Sequence, residues 1–200
     1  MQKVLILGAT GTVGSAVRQT LLTETDDQLT LFARHPNGLQ TNPAREQVIA
    51  GDVMSESDLR TAIRGQEVVF AALSGNLGTM AQQIVSAMDA ENVTRLIFIT
   101  SMGIYNEIPA AIGADGNLKF NPALKPYRQA ADVIEASDLN YTLIRPGWFD
   151  NGNPSYEITH KGEPFGGHNV AVKSIADLVR RLSADSSLGS RDSLGIDRPQ

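Results

Sequence analysis

Three glycines directly after the first apolar segment constrain the fold of this chain more than any other feature. Residues 3–7 (Lys-Val-Leu-Ile-Leu) run into a G-x-x-G-x-x-G pattern at residues 8–14. A buried strand that ends in glycines and opens a helix forms a pyrophosphate-binding turn, because free N–H groups of the helix face the anion. We expect Gly8 to allow a sharp turn, Gly11 to let phosphate approach the backbone, and Gly14 to bring helix and sheet together. The alternative is a tight strand–helix turn that binds no ligand.

Length and composition limit the classes of protein to consider. Two hundred residues with 42% hydrophobic content suit a single α/β domain over 1–200, so a substrate pocket must come from loops. A net charge of −5 argues against a nucleic-acid partner. The absence of cysteine excludes disulfides, thiolate metal sites and a cysteine nucleophile. No apolar run approaches the ~18 residues that span a bilayer, and no signal peptide is evident, so we expect a cytoplasmic protein without a membrane partner.

Short apolar segments alternate with segments of helical periodicity. This alternation favours a parallel sheet with right-handed crossovers. We therefore expect a Rossmann-like, doubly wound α/β domain of three layers. The predicted strands are 3–7, 29–33, 46–50, 68–71, 95–100 and 141–144, with a short seventh near 168–172. Residues 103–124 and 147–167 are expected to be irregular and to lie at the ligand-binding edge of the sheet.

Five helices are expected between these strands, each with apolar residues at helical spacing. Their inward faces are Val13, Val17 and Leu21; Leu59, Ala62 and Ile63; Met80, Ile84, Ala87 and Met88; Tyr127, Ala130, Ala131 and Ile134; and Ile175, Leu178, Val179 and Leu182. Ser55 with Asp58 resembles a capping box, and Ser174 with Asp177 is expected to cap the last helix. The tail 184–200 is either flexible or docks residues 193–196 as a short edge strand.

The end of the second strand indicates which dinucleotide is preferred. An acidic residue at this position ordinarily binds the ribose of NAD, but here the strand ends in Arg34, and Asp26 and Asp27 lie at its other end. A guanidinium can bind a 2′-phosphate through paired hydrogen bonds. The sequence therefore predicts a preference for NADP(H) over NAD, unless Arg34 is an ordinary surface charge.

Two later segments fit the same cofactor. Asp52 follows the third strand, where it could hydrogen-bond the adenine while Val53 packs on the ring; a turn or a helix cap is an equally good interpretation of Asp52. The residues after the fourth strand are small enough to let the cofactor approach the backbone, namely Ala72, Leu73 and Ser74.

Taken together, these motifs resemble the atypical short-chain dehydrogenase/reductases of the NAD(P)H-binding, NmrA-like group, and are also similar to the flavin and biliverdin reductase type. The matching segments are ILGATGTVG at 6–14, GDV at 51–53, LIFITS at 96–101, YTLIRPGW at 141–148 and IADLV at 175–179. The glycine loop and the LIRPG segment are the specific ones, and the segments together span nearly the whole chain.

The resemblance implies roles for several residues. Pyrophosphate contacts are implied for Thr10, Gly11, Thr12 and Val13. Ser101 would lie beside the nicotinamide at the end of the fifth strand. The segment Pro146, Gly147 and Trp148 would pass near the carboxamide and shape the substrate pocket. Trp148 and Phe149 could equally be packing aromatics.

One departure from the wider superfamily limits the expected chemistry. Its active members carry Tyr-x-x-x-Lys on a helix, where the ammonium at i+4 lowers the pKa of the phenol for proton transfer. Here Tyr127 is followed four residues later by Ala131, and neither Lys125 nor Arg128 takes the i+4 place. An alcohol–ketone dehydrogenase of the usual kind is therefore disfavoured. Tyr105 is another candidate acid, although packing is its favoured role.

Two functional hypotheses follow. The first is an NADPH-dependent reductase of a conjugated acceptor (a quinone, flavin or carbonyl), with Ser101 and Tyr127 in the catalytic site, because such acceptors can be protonated by water. The second is a non-catalytic NADP(H) sensor of the NmrA type. Either would be a monomer or a homodimer. No metal site is expected, since His35, His160 and His168 lack ligand spacing.

Overall fold

Strands and helices alternate along the protein in the computed structural model, which describes residues 1–199. The strands are β1 (Lys3–Leu7), β2 (Gln28–Ala33), β3 (Glu46–Ala50), β4 (Val68–Ala71), β5 (Arg95–Ile99), β6 (Asn140–Pro146), β7 (Trp148–Asp150), β8 (Glu157–Thr159), β9 (Asn169–Ala171) and β10 (Asp192–Asp197). The helices are α1 (Thr12–Glu24), α2 (Glu56–Ile63), α3 (Leu77–Glu91), α4 (Lys125–Glu135) and α5 (Val172–Ala184), with 3-10 turns at Ala114–Gly116 and Pro122–Leu124.

The main sheet has the order β3-β2-β1-β4-β5-β6-β10-β8. All its neighbours pair in parallel except β8, which is antiparallel to β10. Because the chain proceeds outward from β1 to β3 and then restarts at β4 on the other side, the switch point lies between β1 and β4. Ligands bind at such a crevice in doubly wound sheets. The Rossmann-like fold expected from the sequence is confirmed.

Helices cover both faces of the sheet, and β1 shows how the layers are built. Val4 and Ile6 point to the layer that contains α1 and α5. Leu5 and Leu7 point to the layer that contains α2, α3 and α4. A strand buried on both sides has no polar face, which explains why the strand sequences lack polar alternation.

Most predicted elements are confirmed. Strands 3–7, 46–50 and 68–71 have the expected bounds, and the others differ by one or two residues at an end. The expected inward helix faces are buried, except that Met80 and Tyr127 are half-buried. Ser55 caps α2 by accepting a hydrogen bond from the backbone N–H of Asp58.

The expected cap of the last helix is wrong. Helix α5 already begins at Val172, so Ser174 lies inside its first turn. The Ser174 hydroxyl donates to the carbonyl oxygen of Pro154 at 2.7 Å. Asp177 instead accepts a hydrogen bond from the Tyr156 hydroxyl. This pair of side chains therefore fastens the loop before β8 to α5.

The region 147–167 and the tail also differ from expectation. Region 147–167 contains β7 and β8, which are too short for a sequence pattern to reveal. Residues 193–196 do form a strand, but β10 lies between β6 and β8 and not at the edge of the sheet. Its neighbours come from distant parts of the chain, and sequence alone does not specify that pairing.

Asp197 at the end of β10 is an acid inside the core. It is fully buried, and neither carboxylate oxygen has a hydrogen-bond partner among residues 1–199. Its cross-strand neighbour is Glu157 on β8. Burial, together with repulsion from Glu157, raises the pKa of Asp197 to about 7.

We expect this acid to make stability depend on pH. A carboxyl whose pKa is raised by folding stabilises the protein fully below its unfolded pKa of about 4, and this contribution is lost as the pH rises to about 7. In thermal melts, the Tm of the wild type should therefore fall over this range relative to the Tm of Asp197→Asn. The exposed Asp26→Asn is the control and should keep the wild-type profile. An Asp197→Asn profile identical to wild type would contradict the assignment.

Candidate functional site

Gly8 and Gly14 bring the end of β1 against the start of α1. Gly8 has a left-handed φ of +88°, and a Cβ there would lie 2.2 Å from the carbonyl oxygen of Ala72. A Cβ on Gly14 would lie 2.1 Å from the carbonyl oxygen of Gly8. Both separations are far inside contact distance, so the protein's own packing requires glycine at these positions.

Gly11 is different from the other two glycines. Its φ is −77°, which any residue adopts, and a Cβ there would meet only the Gly8 carbonyl oxygen, at 3.4 Å. Packing within the protein therefore does not require glycine at residue 11. Since Gly11 lines a cavity, the missing side chain instead leaves room for a ligand to reach the backbone. This observation argues against a turn that binds nothing.

The amino end of α1 faces this cavity, and the helix itself carries no competing anion there. No side chain caps the helix, and its first turn contains no acidic residue. The helix dipole and the unpaired N–H groups of a first turn favour a negative group at such a position. The chemistry of this end therefore fits the diphosphate of a dinucleotide.

The cavity, of about 190 Å³, brings together residues from the ends of β1, β2, β3 and β4. Of the predicted cofactor residues it includes Gly8, Thr10, Gly11, Arg34, Asp52, Val53, Ala72, Leu73 and Ser74. Gly51, from the matching GDV segment, also lines it. So do Phe32, Ala33 and Met80, which were not predicted to bind a cofactor. Thr12, Val13 and Gly14 lie outside its wall: Thr12 is exposed, whereas Val13 is buried in the core and Gly14 is packed on Gly8.

Arg34 and Asp52, both on the wall of this cavity, differ in whether other residues hydrogen-bond their charged groups. Arg34 is exposed and has no hydrogen bond or ion pair to another of the described residues. Asp52 forms a turn: its carboxylate accepts from the N–H of Met54 at 2.9 Å, and its own N–H donates to Asp58 at 3.0 Å. The turn interpretation of Asp52 thus describes its local structure, and the guanidinium of Arg34 is available to a ligand.

A second cavity, of about 400 Å³, opens at the ends of β5 and β6; we call it the acceptor cavity. It brings together the predicted residues Ser101, Tyr127, Pro146, Gly147 and Trp148. Its other wall residues are Thr100, Met102, Asn121, Ala123, Leu124 and Phe149. The region 103–124, expected to be irregular, contributes through its turns, so this loop and the β6 segment form facing walls.

The hydroxyl groups in the acceptor cavity are few. Ser101 Oγ donates to the carbonyl oxygen of Met102 at 3.1 Å. Tyr127 is half-buried in the first turn of α4. Four residues on, Ala131 is fully buried in the core, and Arg128 is paired with Asp132. The described structure therefore supplies no cation at the i+4 position of Tyr127.

Tyr105 lies outside the acceptor cavity. Its hydroxyl donates to Glu135 at 2.6 Å, and Arg128, Arg145 and Lys161 lie over its ring. Burial and the adjacent Glu135 raise the pKa of this phenol. These contacts match the packing role favoured from the sequence.

A buried ion pair behind the acceptor cavity was missed at the sequence level. Arg145 is fully buried and donates to Glu107 at 2.7 Å and to Ser193 Oγ at 3.1 Å. Glu107 also accepts from the backbone N–H groups of Gly103 and Tyr105. The pair thereby joins the loop after Ser101 to the strand before Pro146. A charged residue inside the apolar LIRPG strand was the available signal.

The remaining titratable residues among 1–199 do not form a metal site. No group of three or more His, Asp or Glu side chains there could hold a metal ion. His168 stacks parallel to Trp148, with ring centroids 5.8 Å apart. Of the helices in the described part, none combines the length and hydrophobicity that a membrane crossing needs.

Comparison with known proteins gives the family. A family model described as NAD(P)H-binding matches residues 8–186, which is most of the chain. The chain belongs to this NAD(P)H-binding family. The match begins at Gly8, the residue that turns the chain at the end of β1.

Two solved structures and two curated relatives are similar to this NAD(P)H-binding protein. A Rossmann-fold NAD(P)-binding family protein from Shigella flexneri is 37% identical, with TM-score 0.84 over 100% of this chain and 94% of that one. A short-chain dehydrogenase/reductase from Veillonella parvula in complex with NADP is 28% identical, with TM-score 0.89 over 99% and 95%. An uncharacterised sugar epimerase from Bacillus subtilis is 28% identical over 74% of this chain and 73% of its own length. An NAD(P)H azoreductase from Xenophilus azovorans is 24% identical over 88% of this chain, which spans 60% of that protein.

The same substitution to alanine should affect ligand binding at Gly11 and stability at Gly14. Gly11→Ala should weaken NADPH binding by about tenfold or more, because a Cβ takes the space a phosphate needs; a tenfold loss corresponds to about 1.4 kcal/mol. Its cost in stability should be limited to the capping preference of glycine, about 1 kcal/mol. Gly14→Ala should lower the Tm by more, because its Cβ would overlap the Gly8 carbonyl.

NADPH fluorescence titration and thermal melts of both variants measure these effects. A Gly11→Ala variant that binds NADPH as tightly as wild type would show that phosphate does not approach this residue.

Proposed function

We propose that the protein is an NADPH-dependent reductase that transfers hydride to a small conjugated acceptor of the quinone, flavin or carbonyl class. The observation that carries this proposal is the arrangement of the two cavities along one edge of the sheet. The cavity of about 190 Å³ that Gly11 and Arg34 line, which we call the cofactor cavity, lies at the ends of β1, β2, β3 and β4. The acceptor cavity lies at the ends of β5 and β6. Because β4 and β5 are neighbours, one extended dinucleotide can reach from the first cavity into the second.

The comparisons support this reaction class. The similar structure from Veillonella parvula is a short-chain dehydrogenase/reductase in complex with NADP. The Xenophilus azovorans relative is an NAD(P)H azoreductase, and an azo group is itself a conjugated acceptor. Both names concern reduction with a nicotinamide cofactor, which agrees with the two-cavity arrangement.

The chain's own residues position the reactants. Thr10 and Gly11 on the wall, with the backbone N–H groups of Thr12 and Val13 in the first turn of α1, would hold the diphosphate. Pro146, Gly147 and Trp148 would border the nicotinamide end. When bound, the cofactor supplies hydride, so that NADPH, the acceptor and one proton give NADP⁺ and the reduced acceptor. Ser101 and Tyr127 hydrogen-bond the acceptor. With no cation four residues beyond Tyr127, the proton comes from water, and the phenol has an orienting role.

A preference for NADP(H) is part of the proposal. Arg34 directly follows β2 at the wall of the cofactor cavity, and its guanidinium has no hydrogen bond or ion pair to another residue among 1–199. Asp26 and Asp27, the two acids next to β2 in the chain, precede this strand, and Asp27 accepts a hydrogen bond from the N–H of Gln2. They therefore lie at the opposite edge of the sheet, where they do not repel a 2′-phosphate.

Arg34→Ala should reduce affinity for NADP by roughly 10- to 100-fold, since a hydrogen bond to a charged group contributes about 1.5–3 kcal/mol. Affinity for NAD should stay within about twofold, because NAD lacks the phosphate. Calorimetric titration of both nucleotides measures this difference. Arg64→Ala, which removes a guanidinium near the opposite edge, is the matched control. Equal affinities of the wild type for NAD and NADP would refute the preference.

A second candidate function is a non-catalytic NADP(H) sensor whose affinity for a partner depends on the redox state of the nucleotide. The observation that favours it is Ala131. This residue takes the place of the lysine in Tyr-x-x-x-Lys and is fully buried, so the proton relay of the superfamily is broken. The sensor and the reductase share the cofactor cavity and differ in turnover.

Turnover distinguishes the two candidates. With a quinone such as menadione, the wild type should consume NADPH, followed by its absorbance. Ser101→Ala and Tyr127→Phe should each lower kcat/KM by about fivefold, the value of one neutral hydrogen bond of about 1 kcal/mol. Tyr156→Phe removes a hydroxyl that bonds Asp177 on α5 and should leave the rate unchanged. Tight NADPH binding without consumption across quinones, flavins and carbonyls would favour the sensor.

A further inference from the structure

The wall of the acceptor cavity carries no ionic side chain. None of its eleven described residues is an acid, a lysine, an arginine or a histidine. The polar groups there are the hydroxyls of Thr100, Ser101 and Tyr127 and the amide of Asn121. Such a wall can hydrogen-bond a neutral oxygen but offers no counter-ion.

Four ionic residues adjoin wall residues in the chain. Arg128, Arg145 and Asp150 are paired with other side chains, and the exposed Lys125 does not line the cavity. Arg145 is paired with Glu107 behind the wall. Asp150, directly after Phe149, is paired with Arg198. An anion that enters the acceptor cavity would thus lose water without gaining a partner, and this loss is costly. In contrast, the cofactor cavity has the ionic side chains of Arg34 and Asp52 on its wall, so the two cavities differ in whether their walls carry ionic groups.

The mouth of the acceptor cavity presents flat aromatic surface. Trp148 is 64% exposed and Phe149 is 48% exposed, although large aromatic side chains ordinarily contribute to cores. One face of the Trp148 ring is covered by His168, at an interplanar angle of 5°. The backbone N–H of Trp148 also donates to the carbonyl oxygen of His168 at 2.8 Å. The indole is therefore held in place, and its other face can stack on a planar ligand.

We infer that the acceptor is an uncharged planar ring of the quinone class, and that acceptors carrying a carboxylate, phosphate or sulfonate are discriminated against. This inference rests on the proposed function. It restricts the acceptors of the proposed reductase to compounds that are uncharged and planar. It also separates this cavity from one built for a nucleotide sugar, because a sugar diphosphate would find no cation on its wall.

A pair of quinones that differ by one charge tests the inference. The wild type should use 1,4-naphthoquinone with a kcat/KM at least about tenfold above that for 1,4-naphthoquinone-2-sulfonate, since the sulfonate must be desolvated without a partner. The sulfonate withdraws electrons and makes the ring a stronger oxidant, so a slower reaction has its cause in binding. Equal or higher kcat/KM with the sulfonate would overturn the inference and leave the proposed reduction intact.

A cation placed on the wall should change this preference. Ala123 is exposed and lines the cavity, so Ala123→Lys can fold while adding an ammonium. We expect the ratio of the two kcat/KM values to move at least threefold toward the sulfonate. Ala44→Lys, at an exposed residue outside the cavity, carries the same added charge and should keep the wild-type ratio. An unchanged ratio in Ala123→Lys would contradict a role for the wall's charge.

Binding can be followed without turnover, because Trp148 is the one tryptophan in the chain. With NADP⁺ present, the neutral quinone should quench its fluorescence at concentrations at least tenfold lower than the sulfonate. Charge-selective quenching without NADPH consumption would confirm the selectivity of the cavity for neutral rings but reject the reductase. NADPH consumption without charge selectivity would support the reductase and reject the inference. If neither consumption nor selective quenching is seen, the reductase and the inference are both rejected.

Discussion

The contact between the Gly8 carbonyl and Gly14 is the constraint on which the arrangement of the site depends. It fixes how closely α1 approaches the end of β1, because no side chain can stand between them. Gly8 also approaches the carbonyl of Ala72, which follows β4, so the same turn determines the separation of the two strands at the switch point. The cavity at that point and the uncapped amino end of α1 are consequences of this packing. Packing does not require glycine at residue 11, where the missing side chain leaves space in the cavity.

The acceptor side is organised by long-range contacts. Met102 N–H donates to the carbonyl oxygen of Pro146, and the buried Arg145–Glu107 pair ties together the same two segments. A buried ion pair is weak support for overall stability, because its desolvation offsets its attraction. Its value here is geometric, since it holds the turn after Ser101 at a set distance from the segment that carries Trp148.

The packing of α4 disfavours a lysine at residue 131, four residues after Tyr127. Ala130 and Ala131 are both fully buried, and α4 packs tightly on α3, where a Cβ on Gly78 would lie 3.0 Å from Gln129 Cβ. An ammonium at residue 131 would be buried without a partner. In the proposed reductase, an NAD(P)H-binding half would thus be combined with a largely apolar second cavity, and this combination suits an acceptor that water can protonate.

Local patterns were enough for the elements whose physics is local. Apolar runs and helical spacing predicted the six central strands and the buried faces of the helices, because each of these depends on burial along a single segment. The glycine spacing and Arg34 indicated the cofactor cavity for the same reason, since parallel strands bring their carboxyl ends to one edge. The sequence by itself thus determined the fold class and indicated most of the residues that line the cofactor cavity.

Pairing between distant segments was decided only by the tertiary structure. The insertion of β10 between β6 and β8, the partner of Arg145 and the burial of Asp197 join residues far apart in the chain, and no local periodicity encodes them. The same holds for the acceptor cavity, whose uncharged wall comes from three separate segments. The wall is uncharged because neighbouring ionic side chains such as that of Arg145 point away from the cavity, and only the packing of the whole fold decides this orientation.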